Sequence, residues 1–241
     1  MEITYIHHSS FLVEFDRTAF LFDYFEGELP VIPKEKELMV FASHKHHDHF
    51  DRSVFRLAEE YPAVQFILSK DIRMSEPYRK RMGISDKAAA RITYLGKNQR
   101  AEFTAGGRPL VVETLASTDE GVAFLLDYEG KSLYHAGDLN WWTWIGETEA
   151  EYKDMTGRFK AEMEKLAGRH FDAAFVPLDP RQEERYFWGL DYFMRITDTD
   201  WVFPMHFWGD FSVIDRLLAD EVSGPYREKI HKISRRGETW F

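Results

Sequence analysis

The sequence of 241 residues contains no cysteine. Disulfide bridges, thiolate metal ligands and a cysteine nucleophile are therefore excluded. The first five residues, Met-Glu-Ile-Thr-Tyr, also lack the basic start and the apolar stretch of a signal peptide. Because cytoplasmic proteins rarely carry disulfides, we expect a cytoplasmic location.

Long apolar runs and basic patches are also scarce, although 44% of the residues are hydrophobic. No segment approaches the about 18 consecutive apolar residues of a membrane-spanning helix, so we expect no membrane association. The net charge is −10, and the basic clusters at residues 79–81 and 235–236 are short. Since phosphate contacts supply most of the affinity of nucleic-acid binders, we expect a small-molecule substrate and no nucleic-acid partner. An oligomer is compatible with this composition.

Neither a repeat nor a low-complexity linker divides the chain, which predicts a single domain over residues 1–241. Short apolar runs predict strands at residues 3–6, 11–15, 19–22, 38–42, 64–68, 91–95, 110–115, 122–128, 132–136, 173–176 and 201–203. Helices are predicted from the N-cap Asp51 onward and at residues 149–166, 186–196 and 211–219. Strand runs followed by helices, twice over, predict an α/β fold whose sheets are covered by helices.

The most specific pattern is the segment SHKHHDHF at residues 43–50, which holds four of the ten histidines. It follows the predicted strand 38–42 and precedes the helix at Asp51, in the kind of loop where functional residues concentrate. Imidazole and carboxylate groups are ligands of zinc, manganese and iron. So dense a cluster has no evident packing role, and it therefore predicts a site for a divalent metal.

The spacing within this segment resembles the HxHxDH signature of the metallo-β-lactamase superfamily. Other motifs of that family follow in the same order along residues 3–207. They are an early aspartate that supports the histidine loop (Asp23), a segment HAGD whose aspartate bridges two metals (Asp138), and a last histidine after a strand (His206). The opening IHHSS at residues 6–10 and DPR at residues 179–181 resemble the branch that includes ascorbate-6-phosphate lactonase-like proteins.

The resemblance implies a fold, a metal site and an activity. The fold would be the four-layer αββα sandwich of the family, with one or two divalent ions, most readily zinc, with manganese or iron as alternatives. The implied ligands are His44, His46, Asp48, His49, Asp138 and His206. The implied catalytic residues are Asp48 and Asp138. The activity would be hydrolysis of a small ester, lactone or phosphodiester by a water molecule that the metal activates.

One position departs from the family pattern. The family usually has a third histidine between the HxHxDH loop and the bridging aspartate, but residues 115–121 read LASTDEG. Either Asp119 takes the place of that histidine, or the first metal binds weakly. A carboxylate at this position would favour manganese or iron, because these ions prefer oxygen ligands. Alternatively, Asp119 is an ordinary loop residue.

Four further residues are candidates for contact with the substrate. Trp141 and Trp142, which follow the bridging aspartate, either form the wall of a pocket or pack in the core. Arg181 either binds a substrate carboxylate or phosphate or pairs with a neighbouring aspartate. His8 occupies a motif position near the metals, or it is a structural histidine.

Two other functions compete with hydrolysis of a small molecule. A metal-binding or sensing protein with little catalysis would tolerate the missing histidine, and metal titration beside a broad hydrolase screen would distinguish it. A nuclease that processes nucleic acid is disfavoured by the acidic charge. Binding to RNA that weakens with salt would favour the nuclease.

Overall fold

A computed structural model describes all residues from 1 to 241. The first sheet is formed by β1 (Glu2–His7), β2 (Ser10–Glu14), β3 (Thr18–Phe22), β4 (Glu37–Ala42), β5 (Gln65–Ser69), β6 (Ile92–Leu95) and β13 (Thr239–Trp240). Its strand order is β13-β1-β2-β3-β4-β5-β6. The pairs from β13 to β3 are antiparallel, and those from β3 to β6 are parallel.

The second sheet is formed by β7 (Arg100–Ala105), β8 (Arg108–Ala116), β9 (Val122–Tyr128), β10 (Lys131–His135), β11 (His170–Pro177) and β12 (Asp198–Met205). Its strand order is β12-β11-β10-β9-β8-β7. The strands from β7 to β10 pair antiparallel, whereas β10, β11 and β12 are parallel. Each sheet is therefore mixed, with a parallel part and an antiparallel part.

Helices cover the two sheets. A 3₁₀ turn (Arg52–Arg56), α1 (Leu57–Glu60), α2 (Glu76–Arg81) and α3 (Asp86–Ala89) accompany the first sheet, and α4 (Glu149–Glu164), α5 (Trp188–Ile196) and α6 (Ser212–Ala219) accompany the second. Further 3₁₀ turns are Lys70–Ile72, Pro180–Arg185, Glu221–Ser223 and Arg227–Lys229. This arrangement confirms the predicted α/β sandwich of two sheets with flanking helices. No helix is both long and apolar enough to cross a membrane.

Alternation along the strands divides the core into two clusters. On β3 and β4, Phe22 and Phe41 belong to a cluster of 48 buried residues that lies between the sheets and extends beneath α4, α5 and α6. Their neighbours Leu21 and Val40 belong to a second cluster of 20 buried residues, which also includes Phe55 from the helical segment. Because successive strand residues face opposite sides, one apolar strand can serve both clusters.

The elements that the sequence did not predict are short or exposed. Strand β7 alternates exposed and half-buried residues at the edge of its sheet, so its apolar pattern is weak. Helices α2 and α3 have six and four residues, too few for a helical period to show. The predicted N-cap Asp51 accepts the Ser53 backbone N–H at 2.7 Å, although the turn that it starts is 3₁₀.

Candidate metal centre

The site residues follow the ends of strands from both sheets. Asp23 follows β3, the histidine loop follows β4, Asp138 follows β10, and His206 follows β12. Since the parallel strands of each sheet end at the same edge, these segments meet at one end of the sandwich. Motifs that are far apart in the sequence thus come together because each follows a strand that ends at the same edge.

Asp23 organises the histidine loop from a fully buried position. Its carboxylate accepts hydrogen bonds from the Ser43 backbone N–H, the Ser43 hydroxyl and His49 Nδ1, each at 2.7 Å. Burial opposes ionisation of Asp23, but its electrostatic interaction with His135 and the hydrogen bond from His49 outweigh that cost and lower its pKa. A short charged side chain therefore fixes both the backbone and one imidazole of the loop.

The same network fixes the orientation of three imidazole rings. Because the Ser43 hydroxyl donates to Asp23, it accepts from His44 Nδ1 at 3.0 Å. His49 Nδ1 donates to Asp23, and His206 Nδ1 donates to Asp179 at 2.9 Å. Each ring thus has Nε2 left for another partner, as metal-binding histidines usually do.

Two groups of donor atoms lie at this end of the sandwich, and a third, of His170, Asp172 and Asp200, lies elsewhere. The inner cluster contains His8, Asp48, His49 and His206, and the outer cluster contains His44, His46 and Asp138. Within each cluster all ligand atoms lie within 4.8 Å of one another. The two clusters include all six ligands that the family resemblance implies, and the inner one also includes His8.

Asp138 lies between the two clusters. Its Oδ1 is 3.2 Å from His49 Nε2 and 3.3 Å from His206 Nε2, whereas its Oδ2 is 3.4 Å from His44 Nε2. A tetrahedral zinc ion with bonds of about 2.0–2.1 Å separates neighbouring donor atoms by about 3.3 Å. The spacing therefore suits a carboxylate that offers one oxygen to each of two ions.

Several of these donor atoms are buried without a hydrogen-bond partner. They include His44 Nε2, His49 Nε2, Asp138 Oδ1 and both ring nitrogens of His8. A buried polar atom without a partner costs about 1–3 kcal/mol. Such atoms gathered around one space fit the requirements of a metal ion, whose binding would satisfy them together.

The charge states of these groups also suit a cation. Burial lowers the pKa of His44 to about 4 and that of His8 to about 3, so both rings are neutral at pH 7. Burial disfavours the ionised form of Asp138, but the charges of His49 and His206 hold its pKa well below the usual range. The rings of His44 and His8 are therefore neutral beside the ionised Asp138, whereas Asp138 and Asp23 outweigh the effect of burial on His49 and raise its pKa well above the usual value.

Asp119 lies beside the outer cluster, 3.7 Å from His46 Nδ1 and half-exposed. Burial and the nearby charge of Asp138 raise its pKa above the usual value. The Thr118 hydroxyl fixes this segment, since it donates to the Asn140 carbonyl at 2.6 Å and accepts the Asn140 N–H at 3.0 Å. Asp119 therefore faces the site at the position where the family usually has a histidine, although it is outside the compact group.

Close packing of glycine holds the histidine loop in place. Gly121 and Gly137 have φ values of 72° and 51°, and both lie against Ser43. A Cβ atom on Gly121 would lie 2.0 Å from the Ser43 carbonyl oxygen, and one on Gly137 would lie 2.6 Å from Ser43 Cβ. The loops of the two sheets approach each other so closely at Ser43 that only glycine fits at these two positions.

A cavity of about 350 Å³ opens onto the centre. It is lined by His46, Asp48, Thr118, Asp119, Asp138, Trp142, Trp144, Met155, Arg181 and His206. A larger groove of about 540 Å³, on residues that include Lys45, His47 and Tyr78, contains none of the donor residues. The smaller cavity is therefore the place where a substrate can reach the donor atoms.

The tryptophan segment divides between the cavity and the core. The Trp142 ring meets His206 at 5.2 Å and stacks on Trp144 at 6.1 Å. Trp141 instead packs on Phe159, and its Nε1 donates to the Thr156 hydroxyl at 2.9 Å. Trp141 does not line the cavity, and its contact with a substrate stays a prediction. Trp144 takes its place in the wall.

The two remaining candidates for substrate contact also have defined places. Arg181 lines the cavity and at the same time binds the Asp179 carboxylate through Nε and Nη2. The structure is thus compatible with Arg181 binding a substrate anion and with Arg181 pairing with Asp179. His8 is fully buried among the donor atoms and does not line the cavity, and its contact with a substrate stays a prediction.

Comparison with known proteins agrees with this architecture. The sequence matches the family described as Beta-lactamase superfamily domain over residues 2–143. A UPF0173 metal-dependent hydrolase of Opitutus terrae is 28% identical over 193 residues, which cover 74% of this chain and 72% of that protein. The resemblance to the ascorbate-6-phosphate lactonase-like branch stays a prediction.

Two solved structures share the fold. A protein of Parabacteroides distasonis, described as a metal-dependent hydrolase, superposes with a TM-score of 0.64 at 17% identity, covering 97% of this chain and 93% of that chain. A metallo hydrolase of the archaeon Ignicoccus hospitalis gives a TM-score of 0.59 at 18% identity, covering 99% and 97%. The fold is therefore shared with distant sequences.

Proposed function

The chain belongs to the beta-lactamase superfamily, and we propose that it is a metal-dependent hydrolase with ligands His44, His46, Asp48, His49, Asp138 and His206. The observation that carries this proposal is the group of buried imidazole nitrogens and the Asp138 oxygen that lack hydrogen-bond partners. Two groups of donors at metal-ligand spacing, with one carboxylate between them, have no other evident use in the fold.

A bound divalent ion would lower the pKa of a coordinated water from about 15.7 to about 7 and would polarise a substrate oxygen. Side chains of the protein would position the attacking water and the substrate. Asp48 and Asp138 both line the cavity, and their carboxylates can orient the attacking water and accept its proton. Burial opposes ionisation of Asp48, but His8 and His49 lower its pKa, so it is ionised at pH 7.

The cavity suggests the substrate class. Its volume of about 350 Å³ suits a small molecule. Trp142 and Trp144 offer an apolar wall, while the Arg181 guanidinium keeps N–H groups that Asp179 does not use. We therefore propose a small ester, lactone or phosphodiester with an apolar part and an anionic part. The net charge of −10 disfavours the binding of a nucleic acid, whose phosphates are also negative.

Removing one ligand from either cluster should lower metal content without unfolding the chain. His46→Ala and His206→Ala each leave fewer donors, while the apolar clusters that stabilise the fold are untouched. Elemental analysis of the purified variants measures the loss, and His47→Ala, at an exposed position outside every group of donor residues, is the matched control. Wild-type metal content in both variants would refute the ligand assignment.

The competing function, a metal-sensing protein, has its own test. Wild-type protein that binds metal but hydrolyses nothing in a broad screen would indicate a sensing protein.

Substitutions of Asp119 test whether this residue completes the outer cluster and influences the choice of ion. If Asp119 completes the outer cluster, Asp119→Ala should empty that site and spare the inner one. Asp119→His should restore binding and shift the preference toward zinc, because imidazole suits zinc well and carboxylate suits manganese or iron. Calorimetric titration of the metal-free protein with zinc and with manganese tests both expectations. Unchanged stoichiometry and affinity in Asp119→Ala would show that Asp119 is only a loop residue.

A further inference from the structure

We propose that His8 is a ligand of the metal in the inner cluster, an inference that rests on the proposed function. The inner site would then have three imidazoles, from His8, His49 and His206, with Asp48 and Asp138 as carboxylates. The outer site would keep two imidazoles. The histidine that is missing near Asp119 would thus be replaced by a histidine on the opposite side of the centre.

His8 is buried at the junction of the two sheets. It occupies the turn between β1 and β2, and its side chain has no solvent exposure. Its ring lies 4.2 Å from the rings of both His206 and Trp208. Its Nε2 is 3.5 Å from Asp48 Oδ2, within the range that separates neighbouring ligands of one ion.

Both ring nitrogens of His8 lack a hydrogen-bond partner. His135 shows how a structural histidine behaves at the same depth in this protein. Its Nε2 donates to the Ser9 carbonyl at 2.9 Å, and its Nδ1 accepts the Gly137 N–H at 3.2 Å. A buried imidazole without such partners costs free energy that a metal ion can offset. The contrast between these two buried rings favours a ligand role for His8.

The backbone holds His8 in an uncommon conformation. Its φ of 52° is one that residues other than glycine rarely adopt. Two hydrogen bonds maintain it: the His8 N–H donates to the Tyr5 hydroxyl at 2.9 Å, and the His8 carbonyl accepts the His206 N–H at 3.2 Å. The second bond joins the backbone of one inner-cluster residue to that of another. This strained backbone conformation therefore places the His8 ring beside the other donors.

The two sites should consequently differ in affinity. All three inner imidazoles are buried, whereas the side chain of His46 in the outer cluster is 41% exposed. An ordered, buried donor loses less freedom when it binds an ion than an exposed one. We therefore expect the first equivalent of metal to enter the inner site.

The test is zinc titration of the metal-free protein against a competing chelator. Asparagine tolerates positive φ, so His8→Asn removes the imidazole with little backbone penalty. Since loss of an outer-shell partner alone costs about 10–100-fold in affinity, loss of His8 should weaken the first equivalent by at least about 100-fold. X-ray absorption of the singly loaded protein should show one imidazole fewer than in the wild type. The neighbouring His7→Asn, outside both clusters, is the matched control.

The outcomes separate the two proposals. If His206→Ala loses metal while His8→Asn binds as the wild type does, the ligand role of His8 is wrong and the proposed function stands. If both variants bind as the wild type does, both proposals fall. If His8→Asn lowers the thermal stability of the metal-free protein, His8→Gly provides a second variant. Recovery of zinc affinity on adding free imidazole to His8→Gly would support the inference, and no recovery would overturn it.

Discussion

Asp138→Asn is expected to reduce bound metal from about two ions to one or none and to abolish hydrolysis. The asparagine side chain keeps the shape of Asp138 but removes the negative charge between the two clusters. Two divalent ions about 3.5–4 Å apart repel each other strongly unless an anion lies between them. Because several kcal/mol of charge stabilisation would be lost, the rate should fall by at least about 100–1,000-fold.

Metal analysis and kinetics on the same preparation test this expectation. Asp127→Asn, at an exposed position on β9, provides a control for the chemical change itself. The control should keep both metal content and rate. An Asp138→Asn protein with unchanged stoichiometry and full activity would exclude the bridging role of Asp138.

Asp23→Ala is expected to destabilise the protein by about 3–5 kcal/mol, the usual cost of breaking a buried charge pair. The substitution leaves the Ser43 N–H, the Ser43 hydroxyl and His49 Nδ1 without their buried acceptor. Metal affinity should also fall by about 10–100-fold, since the ring of His49 would lose its orientation. Urea unfolding of the metal-free protein isolates the first effect, and Asp127→Ala is the surface control.

The effect of Asp23 should depend on pH. Its folded-state pKa is lowered, so its contribution to stability is fully present above the ordinary pKa of aspartic acid, about 3.9. That contribution is lost as the pH falls through the folded-state pKa. The difference in unfolding free energy between wild type and Asp23→Ala should therefore shrink in acid. A difference that stays constant from neutral pH down to the acid transition would contradict this account.

Sequence spacing identifies the candidate metal ligands most directly where they are close together in the chain. His44, His46, Asp48 and His49 lie in one loop, so the pattern of the motif places them directly. Asp138 and His206 were predicted from motif order, and the parallel strand ends of the structure bring them to that loop. His8 could not be placed among the donors from sequence, because its position depends on a turn with positive φ and on a contact with His206.

The tryptophan segment marks another limit of prediction. Residues 141–144 have irregular backbone, so no periodicity determines which side chain faces which way. Trp141 therefore joins the core while Trp142 and Trp144 face the cavity. Likewise, the apolar runs that predicted β3 and β4 are continuous because both faces of these strands are buried, whereas the edge strand β7 alternates exposed and half-buried residues. Buried regular elements could be predicted; irregular and exposed ones required the tertiary structure.

The inner cluster takes its donors from both sheets, and this has a mechanical consequence. His8 and Asp48 belong to loops of the first sheet, whereas His206 follows the last long strand of the second. One bound ion would therefore cross-link chain segments far apart in sequence and oppose separation of the sheets at that end. At a free metal concentration 100 times the dissociation constant, the added stability would be about 2.7 kcal/mol. That is within the range of about 2–4 kcal/mol that a disulfide typically contributes, in a chain that has no cysteine to form one.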